Sequence, residues 1–254
     1  MKRRNHGSEK KHLEPTCASC SIEPETRACK KPKISGPKGC PTLTRKELLE
    51  KANAEYLKPE MGKFARQASI QEAACYANRH ERPYIPQPSK TRIEEICEFA
   101  HRMNYSRLGL VFCTGLKKEA AIVDAILRNS GFEVVSVICK AGKTSKDLIG
   151  IEDQDKVCRG TDEAMCNPIF QAMVVNDEKT DFNVLLGLCV GHDSLFLKYA
   201  DAFTTVLAVK DRVTGHNPLS PIYLYDHYYR KLKQPAMTGS DGKPLDDEKG
   251  SWSE

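Results

Sequence analysis

The spacing of hydrophobic positions along the chain changes near Tyr105. Between Thr44 and Asn104, apolar residues recur every three or four positions, which predicts helices. The three prolines of "RPYIPQPSK" interrupt this pattern and separate the second predicted helix from the third. Thr44 and Glu47 have the spacing of a capping box, so the first helix is predicted to begin there. Residues 44–104 are therefore predicted to form a helical region.

Beyond Tyr105, short apolar runs alternate with amphipathic stretches. The apolar runs predict buried strands at 108–113, 133–139, 182–189 and 204–210. Amphipathic stretches between these runs, and after the last one, predict helices. Strand–helix repeats with apolar strands are typical of a parallel sheet covered by helices on both faces. Residues 105–233 are thus predicted to be an α/β domain with four or more mainly parallel strands in Rossmann-like layers.

The remaining segments lack this periodicity. Residues 16–43 hold four cysteines among Pro, Gly and Lys, with almost nothing to bury. Residues 1–15 are predicted to be a disordered basic arm, and the polar residues 234–254 a disordered tail. A small cysteine-rich segment and a group of helices are therefore expected before the α/β domain.

Charge is distributed unevenly along the 254 residues. The formal net charge is +5, yet residues 1–46 carry 12 Lys and Arg against 4 Asp and Glu, so the rest of the chain is mildly acidic. A basic N-terminal segment can contact nucleic acid or an acidic protein partner. It has no Phe, Tyr or Trp before Thr42 with which to stack on bases, which argues against nucleic acid.

The chain has no run of about 18 apolar residues and no secretory signal pattern, so no membrane span is expected and the cytoplasm is predicted. In that reducing setting, 11 cysteines, an odd number, indicate metal ligation or thiol chemistry rather than a disulfide framework.

Four cysteines in the N-terminal segment have metal-ligand spacing. They form the pattern C-x2-C-x8-C-x10-C, at Cys17, Cys20, Cys29 and Cys40. Four thiolates complete a tetrahedral zinc site or hold an iron–sulfur cluster. Because the segment has few apolar residues, a bound metal is predicted to hold it together. Zinc and iron–sulfur both remain open from the spacing.

A second group of cysteines follows the predicted strands. Cys113, Cys139 and Cys189 end three of them, and the carboxyl ends of parallel strands open onto one edge of a sheet. Cys166 joins them, because the Asn and Pro that follow it predict a helix start beside that edge. We therefore predict a cofactor site of four cysteines, with buried apolar thiols as the alternative.

Two histidines extend this predicted crevice. His192 follows Gly191, whose turn directs the chain away from the third strand, and His216 precedes a second Asn–Pro pair. The candidates for catalysis are Cys189, His192 and His216. Cys75 and Cys97 lie among apolar helix positions and are predicted to be core residues, and the pattern assigns no role to Cys158.

Charged residues also follow the predicted strands. Lys210, Asp211 and Arg212 come directly after the fourth strand, and Lys140 follows Cys139. They could position an anionic ligand or form salt bridges at the edge of the sheet. The turn after the first strand has no Gly-rich phosphate loop, so no nucleotide cofactor is expected.

Several segments together resemble a known family. The segments "CASC", "GLKKEA", "CNPIFQA", "GLCVGHDSLF" and "VKDRVTGHNP" are similar to a prokaryotic family of predicted metal-binding proteins, domain of unknown function 1847. The resemblance runs from about Cys17 to Tyr223 and implies metal binding through cysteines. The positions it marks are Cys113, Cys139, Cys166, Cys189, His192 and His216. The family has no established reaction, so the resemblance implies no particular activity.

Three functions fit these observations. The first is a redox or metal-dependent protein acting on a small molecule or with a redox partner, with iron–sulfur or zinc bound at one or both cysteine groups. The second is a zinc-stabilised binding protein whose basic N-terminal segment contacts nucleic acid or a protein. The third is an enzyme with Cys189 as nucleophile and His192 or His216 as its base. The sequence leaves open whether the protein is an enzyme, and its oligomeric state.

Overall fold

The computed structural model describes residues 13–30 and 35–234. The predicted N-terminal arm up to residue 12 and the predicted tail beyond Gln234 lie outside these residues. The chain divides into two compact units between Ala74 and Cys75. This division falls inside the predicted helical region 44–104, so the third predicted helix is part of the α/β unit.

The first unit contains short helical turns and two longer helices. Two 3-10 turns, Cys17–Ser19 and Pro24–Thr26, precede helices α1 (Pro41–Thr44), α2 (Lys46–Tyr56) and α3 (Pro59–Ala74). Gly39 is the only buried residue among those described from 13 to 58. The described part of the cysteine-rich segment therefore has no apolar core of its own.

The predicted capping box at Thr44 is wrong. Pro41 begins a helical turn three residues earlier, and Thr44 is the last residue of α1. Its hydroxyl donates a hydrogen bond to the Cys40 carbonyl, 2.9 Å away, and so is not available to cap α2. The helix α2 has Arg45 at its N-cap position, without a side-chain hydrogen bond.

The second unit is an α/β domain with four strands, β1 (Arg107–Phe112), β2 (Glu133–Ile138), β3 (Phe182–Leu186) and β4 (Thr204–Ala208). Its helices are α4 (Arg92–Met103), α5 (Lys117–Asn129), α6 (Pro168–Asp177), α7 (His192–Tyr199) and α8 (Ser220–Tyr223). The strand order is β2-β1-β3-β4 and all pairs are parallel, which confirms the predicted α/β class. A capping box of Thr91 and Glu94, which the sequence analysis missed, begins α4.

The strand order creates a switch point at the centre of the sheet. The connection after β1 leads outward to β2, whereas the connection after β3 leads to β4 on the other side. With right-handed crossovers, α5 lies on one face and α6 and α7 on the other. Ligands of open parallel sheets bind beyond the carboxyl ends of such neighbouring strands. Here that location lies beyond β1 and β3.

Two predicted elements are shorter in the structure. The strand β3 ends at Leu186 rather than at Cys189, because Gly187 adopts a positive φ of 69° that no regular strand contains. The predicted last helix is reduced to α8 and a later 3-10 turn, Arg230–Lys233. Asn217 does not cap it, since α8 begins after Leu219. Across the described ranges, the helices are all too short or too polar to cross a membrane.

Candidate thiol site at the carboxyl edge of the sheet

Cys113 and Cys139 extend the backbone pairing of β1 and β2 with their neighbouring strands by one residue. The N–H of Cys113 donates to the Leu186 carbonyl at 3.2 Å, and the N–H of Cys139 donates to the Phe112 carbonyl at 2.9 Å. Cys113 is 6% exposed and Cys139 is 1% exposed. The sheet thus holds both thiols at its carboxyl edge, as predicted from their strand-end positions.

Cys166 reaches the same place from the long connection between β2 and α6. The N–H of Asn167 donates to the Cys139 carbonyl at 2.8 Å, and the Asn167 side chain caps α6 by accepting from the Phe170 N–H. The sulfurs of Cys166 and Cys139 are 3.6 Å apart. The predicted helix start at Asn167 is confirmed, and it places Cys166 beside Cys139.

Two backbone contacts close the connection that carries Cys166 into a loop, and we call the closed base of this loop, at residues 144–145 and 164–165, its neck. Ser145 and Ala164 form an antiparallel bridge, and the N–H of Met165 donates to the Thr144 carbonyl at 2.7 Å. These contacts bring the first and last residues of the connection together before the chain enters α6. Cys158 lies beyond this neck and is exposed.

Hydrogen bonds divide the protons unequally among the three thiols. Contact with the Cys139 thiol, the Gly115 N–H and the Lys210 ammonium lowers the pKa of Cys113 to about 5. Contact with Cys139 and then with His192 lowers the pKa of Cys166 to about 4. The pKa of Cys139 is raised, because hydrogen bonding with the Cys113 and Cys166 sulfurs and burial both favour its protonated form. The central thiol therefore keeps its proton while the two outer sulfurs favour the thiolate.

His192 completes this group from the other side of the switch point. It is the first residue of α7, after Gly191 with a φ of 84°. Its imidazole is hydrogen-bonded to the Cys166 sulfur, which raises the pKa of His192 because the thiolate favours the imidazolium form. The two residues can thus form a thiolate–imidazolium pair. We call Cys113, Cys139, Cys166 and His192 the thiol cluster.

Cys189 and His216 have other partners. The sulfur of Cys189, which is half-buried, accepts a hydrogen bond from Arg212 Nη2 at 3.2 Å. His216 lies in a closed turn, where its Nδ1 accepts from the Asp211 N–H at 3.1 Å. The predicted edge site is therefore brought together at Cys113, Cys139, Cys166 and His192, with Cys189 and His216 in separate hydrogen-bonded pairs.

Two further residues support the thiol cluster. Lys210, named in the sequence only as a charge near the edge, places its ammonium against the Cys113 sulfur. Gln171, which the sequence analysis missed, is completely buried, and its Nε2 donates to the Val137 carbonyl at 2.7 Å and to the Phe112 carbonyl at 3.3 Å. It therefore joins the ends of β1 and β2. Its one signal in the sequence is an amide between the apolar Phe170 and Ala172 of α6.

The N-terminal cysteines are more exposed than those at the sheet edge. Cys17 and Cys29 are exposed, and Cys20 and Cys40 are half-buried. The N–H of Cys20 donates to the Cys17 carbonyl at 3.3 Å, so the C-x2-C pair lies in a tight turn. Within residues 13–30 and 35–234, no three His, Cys, Asp or Glu side chains are arranged to hold a metal ion as they stand. Cys75 and Cys97 are buried, as predicted for core residues.

Comparison with known proteins gives a family without an assigned activity. A family model described as "Protein of unknown function (DUF1847)" matches residues 40–207, a range that contains the whole thiol cluster. An uncharacterised protein of Methanocaldococcus jannaschii, MJ0455, is 43% identical over 188 residues, which cover 74% of this chain and 89% of that protein. No solved structure matches the chain. Cys17, Cys20, Cys29 and His216 lie outside the range that the family model matches.

Proposed function

The chain belongs to the DUF1847 family of proteins of unknown function, and we propose that it is a metal-binding protein whose thiol cluster takes a thiophilic ion such as zinc or iron. The proposal depends on one observation. Three thiols from three separate segments of the chain, with an imidazole, meet at the switch point of a parallel sheet. Cys113, Cys139 and Cys166 would supply sulfur and His192 nitrogen.

One distance within the cluster suits such an ion. Metal–sulfur bonds of about 2.3 Å in a tetrahedral site place two sulfurs about 3.8 Å apart. The Cys139 and Cys166 sulfurs are 3.6 Å apart. Because the four groups are not arranged to hold an ion as they stand, binding requires side-chain rotation around this pair.

The chemistry of the donors supports the same proposal. Thiolate and imidazole are the ligands that zinc and iron prefer, and only the deprotonated sulfur binds. The lowered pKa values of Cys113 and Cys166 mean that two of the three sulfurs favour thiolate near neutral pH. A bound ion would supply Lewis acidity or, in the case of iron, electron transfer. Lys210 and the Gly115 N–H would offset the remaining negative charge of Cys113.

The N-terminal cysteines support a second, structural metal. The described part of the segment has no apolar core, and Cys17, Cys20, Cys29 and Cys40 are the cysteines of its sequence. A bound zinc ion or iron–sulfur cluster would stabilise this segment, which buries too little apolar surface to be stable without it. Contact between the basic part of this segment and nucleic acid or a protein stays a prediction.

Metal analysis and a visible absorption spectrum, on protein purified without oxygen, test the proposal. Cys139→Ser is expected to lose the metal at the sheet edge and to retain the N-terminal metal. Cys97→Ser is the matched control, because Cys97 is also buried in the α/β unit but lies on α4. Equal metal content in wild type and Cys139→Ser, with a folded variant, would contradict the proposal.

A cysteine-nucleophile enzyme is the second candidate, and one contact favours it. His192 is hydrogen-bonded to the sulfur of Cys166, whereas Cys189 is paired with Arg212. A thiolate activated by an adjacent imidazole is the usual nucleophile of such enzymes. The geometry therefore favours Cys166 over Cys189 in that role. If wild-type protein is purified without metal at the sheet edge, alkylation of Cys166 that is faster than that of the exposed Cys17, Cys29 and Cys158 would support this candidate over the metal centre.

A further inference from the structure

We propose a further activity of the metal-free thiol cluster: Cys166 and Cys139 reduce low-molecular-weight disulfides and are left joined by a disulfide bond. This proposal uses the cysteines of the proposed metal centre but does not require that a metal binds there. It rests on the separation of the two sulfurs and on the difference in their exposure.

The two cysteines are placed for a disulfide bond. Their sulfurs are 3.6 Å apart, so closure to a bond of about 2.05 Å needs a movement of roughly 1.5 Å. The hydrogen bond of 2.8 Å from the Asn167 N–H to the Cys139 carbonyl holds the two backbone segments next to each other. Side-chain rotation alone can therefore make most of the approach, without separation of the strands.

Exposure decides which sulfur reacts first. Cys166 is half-buried, whereas Cys139 is 1% exposed and Cys113 is 6% exposed. A small disulfide in solvent can reach Cys166 but not the two sealed thiols behind it. In thiol–disulfide exchange the attacking thiolate must reach a sulfur of the substrate disulfide, so the reaction begins at Cys166.

The exchange then proceeds in two balanced steps. The Cys166 thiolate attacks one sulfur of the substrate disulfide RSSR, a Cys166–SR mixed disulfide forms, and RS⁻ leaves. The Cys139 thiol gives its proton to a base, and its sulfur attacks the Cys166 sulfur. The internal Cys139–Cys166 bond forms as the second RS⁻ leaves. In total, the dithiol is oxidised by two electrons and RSSR is reduced to two RSH.

The proximity of Cys139 predicts that the mixed disulfide is short-lived. A sulfur held beside the reacting bond turns the second step into an intramolecular reaction. In wild-type protein the mixed disulfide should therefore be converted before it accumulates. In Cys139→Ser it should persist, with a lifetime longer by roughly a hundredfold or more, since only a second thiol from solution can resolve it.

The test uses full-length protein stripped of metal with a chelator and reduced, then freed of reductant without oxygen. The probe is 2-hydroxyethyl disulfide, and the readout is intact mass followed by peptide mapping. We expect the wild-type peptides that contain Cys139 and Cys166 to be recovered as a cross-linked pair, two hydrogen atoms lighter than the two reduced peptides together, whatever the exposed Cys17, Cys29 and Cys158 carry. We expect Cys139→Ser to carry the reagent on Cys166, and Cys97→Ser to behave as wild type.

A Cys113–Cys139 cross-link, or a mixed disulfide on Cys166 that persists in the wild type, would overturn the proposal. If Cys139→Ser does not fold, Cys166→Ala gives the second test, because its side chain is only half-buried. That variant should form no internal disulfide. Metal content of untreated protein is measured separately, so protein that binds metal without forming the cross-link retains the proposed function and loses this activity. Protein that forms the cross-link but binds no metal at the sheet edge has this activity and loses the proposed function.

Discussion

Replacement of Gly187 by alanine should be among the most destabilising single-methyl changes in the α/β unit. Gly187 follows β3 with a φ of 69°, which disfavours any residue with a Cβ atom. A Cβ built there would lie 2.0 Å from Cδ1 of Leu116. Leu116 is 3% exposed and sits in the turn after Cys113. The added methyl therefore pushes against the loop that positions the thiol cluster.

The structure supplies both the expected magnitude and a matched control. The left-handed backbone costs alanine about 1 kcal/mol, and a methyl forced into a packed site costs about 1–3 kcal/mol more. Gly150, in the same unit, is also left-handed, with a φ of 71° and a ψ of 24°, and a Cβ there would meet nothing within 4 Å. Gly150→Ala should thus show the backbone cost alone. Gly187→Ala should exceed it by about 1–3 kcal/mol.

Urea unfolding followed by far-ultraviolet circular dichroism, in the presence of reductant and chelator, measures both variants. The chain has two compact units, so hydrogen exchange of the β3 amides should accompany it to assign the loss to the α/β unit. Equal destabilisation by the two substitutions would refute the reasoning. It would mean that the Leu116 side chain moves aside at no cost in free energy, and that the turn at Gly187 is not closely packed against the turn that follows Cys113.

Three other predictions concern metal and pH. Combined Cys17→Ser and Cys20→Ser should remove the N-terminal metal while the edge metal remains, as measured by metal analysis of each variant. In metal-free protein, iodoacetamide should alkylate Cys166 with a midpoint near its lowered pKa of about 4, and His192→Gln should move that midpoint upward; an unchanged pH profile would exclude the pairing. Thr91→Ala should lower the melting temperature at neutral pH. Glu94, the partner of Thr91 in the capping box of α4, has a lowered pKa in the folded state, mainly through its hydrogen bonds to Thr91. Its contribution to the stability of the folded state is therefore present above its unfolded pKa and is lost as pH falls through its folded pKa. The difference between the two proteins should therefore shrink below about pH 4.

The fold could be predicted because the strands of a parallel sheet are buried on both faces. Their apolar runs stand out from the sequence, and the helices between them show a different period. The predicted third strand ran too far because Leu188 and Cys189 continue the apolar pattern after the backbone has turned at Gly187. The last helix was over-predicted because Leu219, Ile222 and Tyr228 resemble a helix face but are exposed. Without packing, a helix of that length is not stabilised.

The edge site could be predicted only in part. Parallel strands bring their ends together whatever the loops do, so the meeting of Cys113 with Cys139 follows from topology. The partner of His192 depends on the turn between Gly187 and Gly191, which decides where α7 begins. Sequence spacing does not determine that direction, and for this reason the pairing with Cys166 rather than Cys189 was not foreseen. Gln171 was missed because periodicity does not show where a buried amide finds its backbone partners.

The neck between Ser145 and Ala164 has a consequence for how this chain can vary. Because these two positions are joined before the chain reaches Cys166, residues 146–163 form a loop whose ends are held together independently of its length. Its tip can be lengthened, shortened or replaced without changing the path that leads Cys166 to Cys139. Doubling a flexible loop costs only about 0.6 kcal/mol in closure entropy. The tip around Cys158 is therefore where an inserted peptide or a label attached to the thiol would be tolerated, and where related chains are free to differ in length.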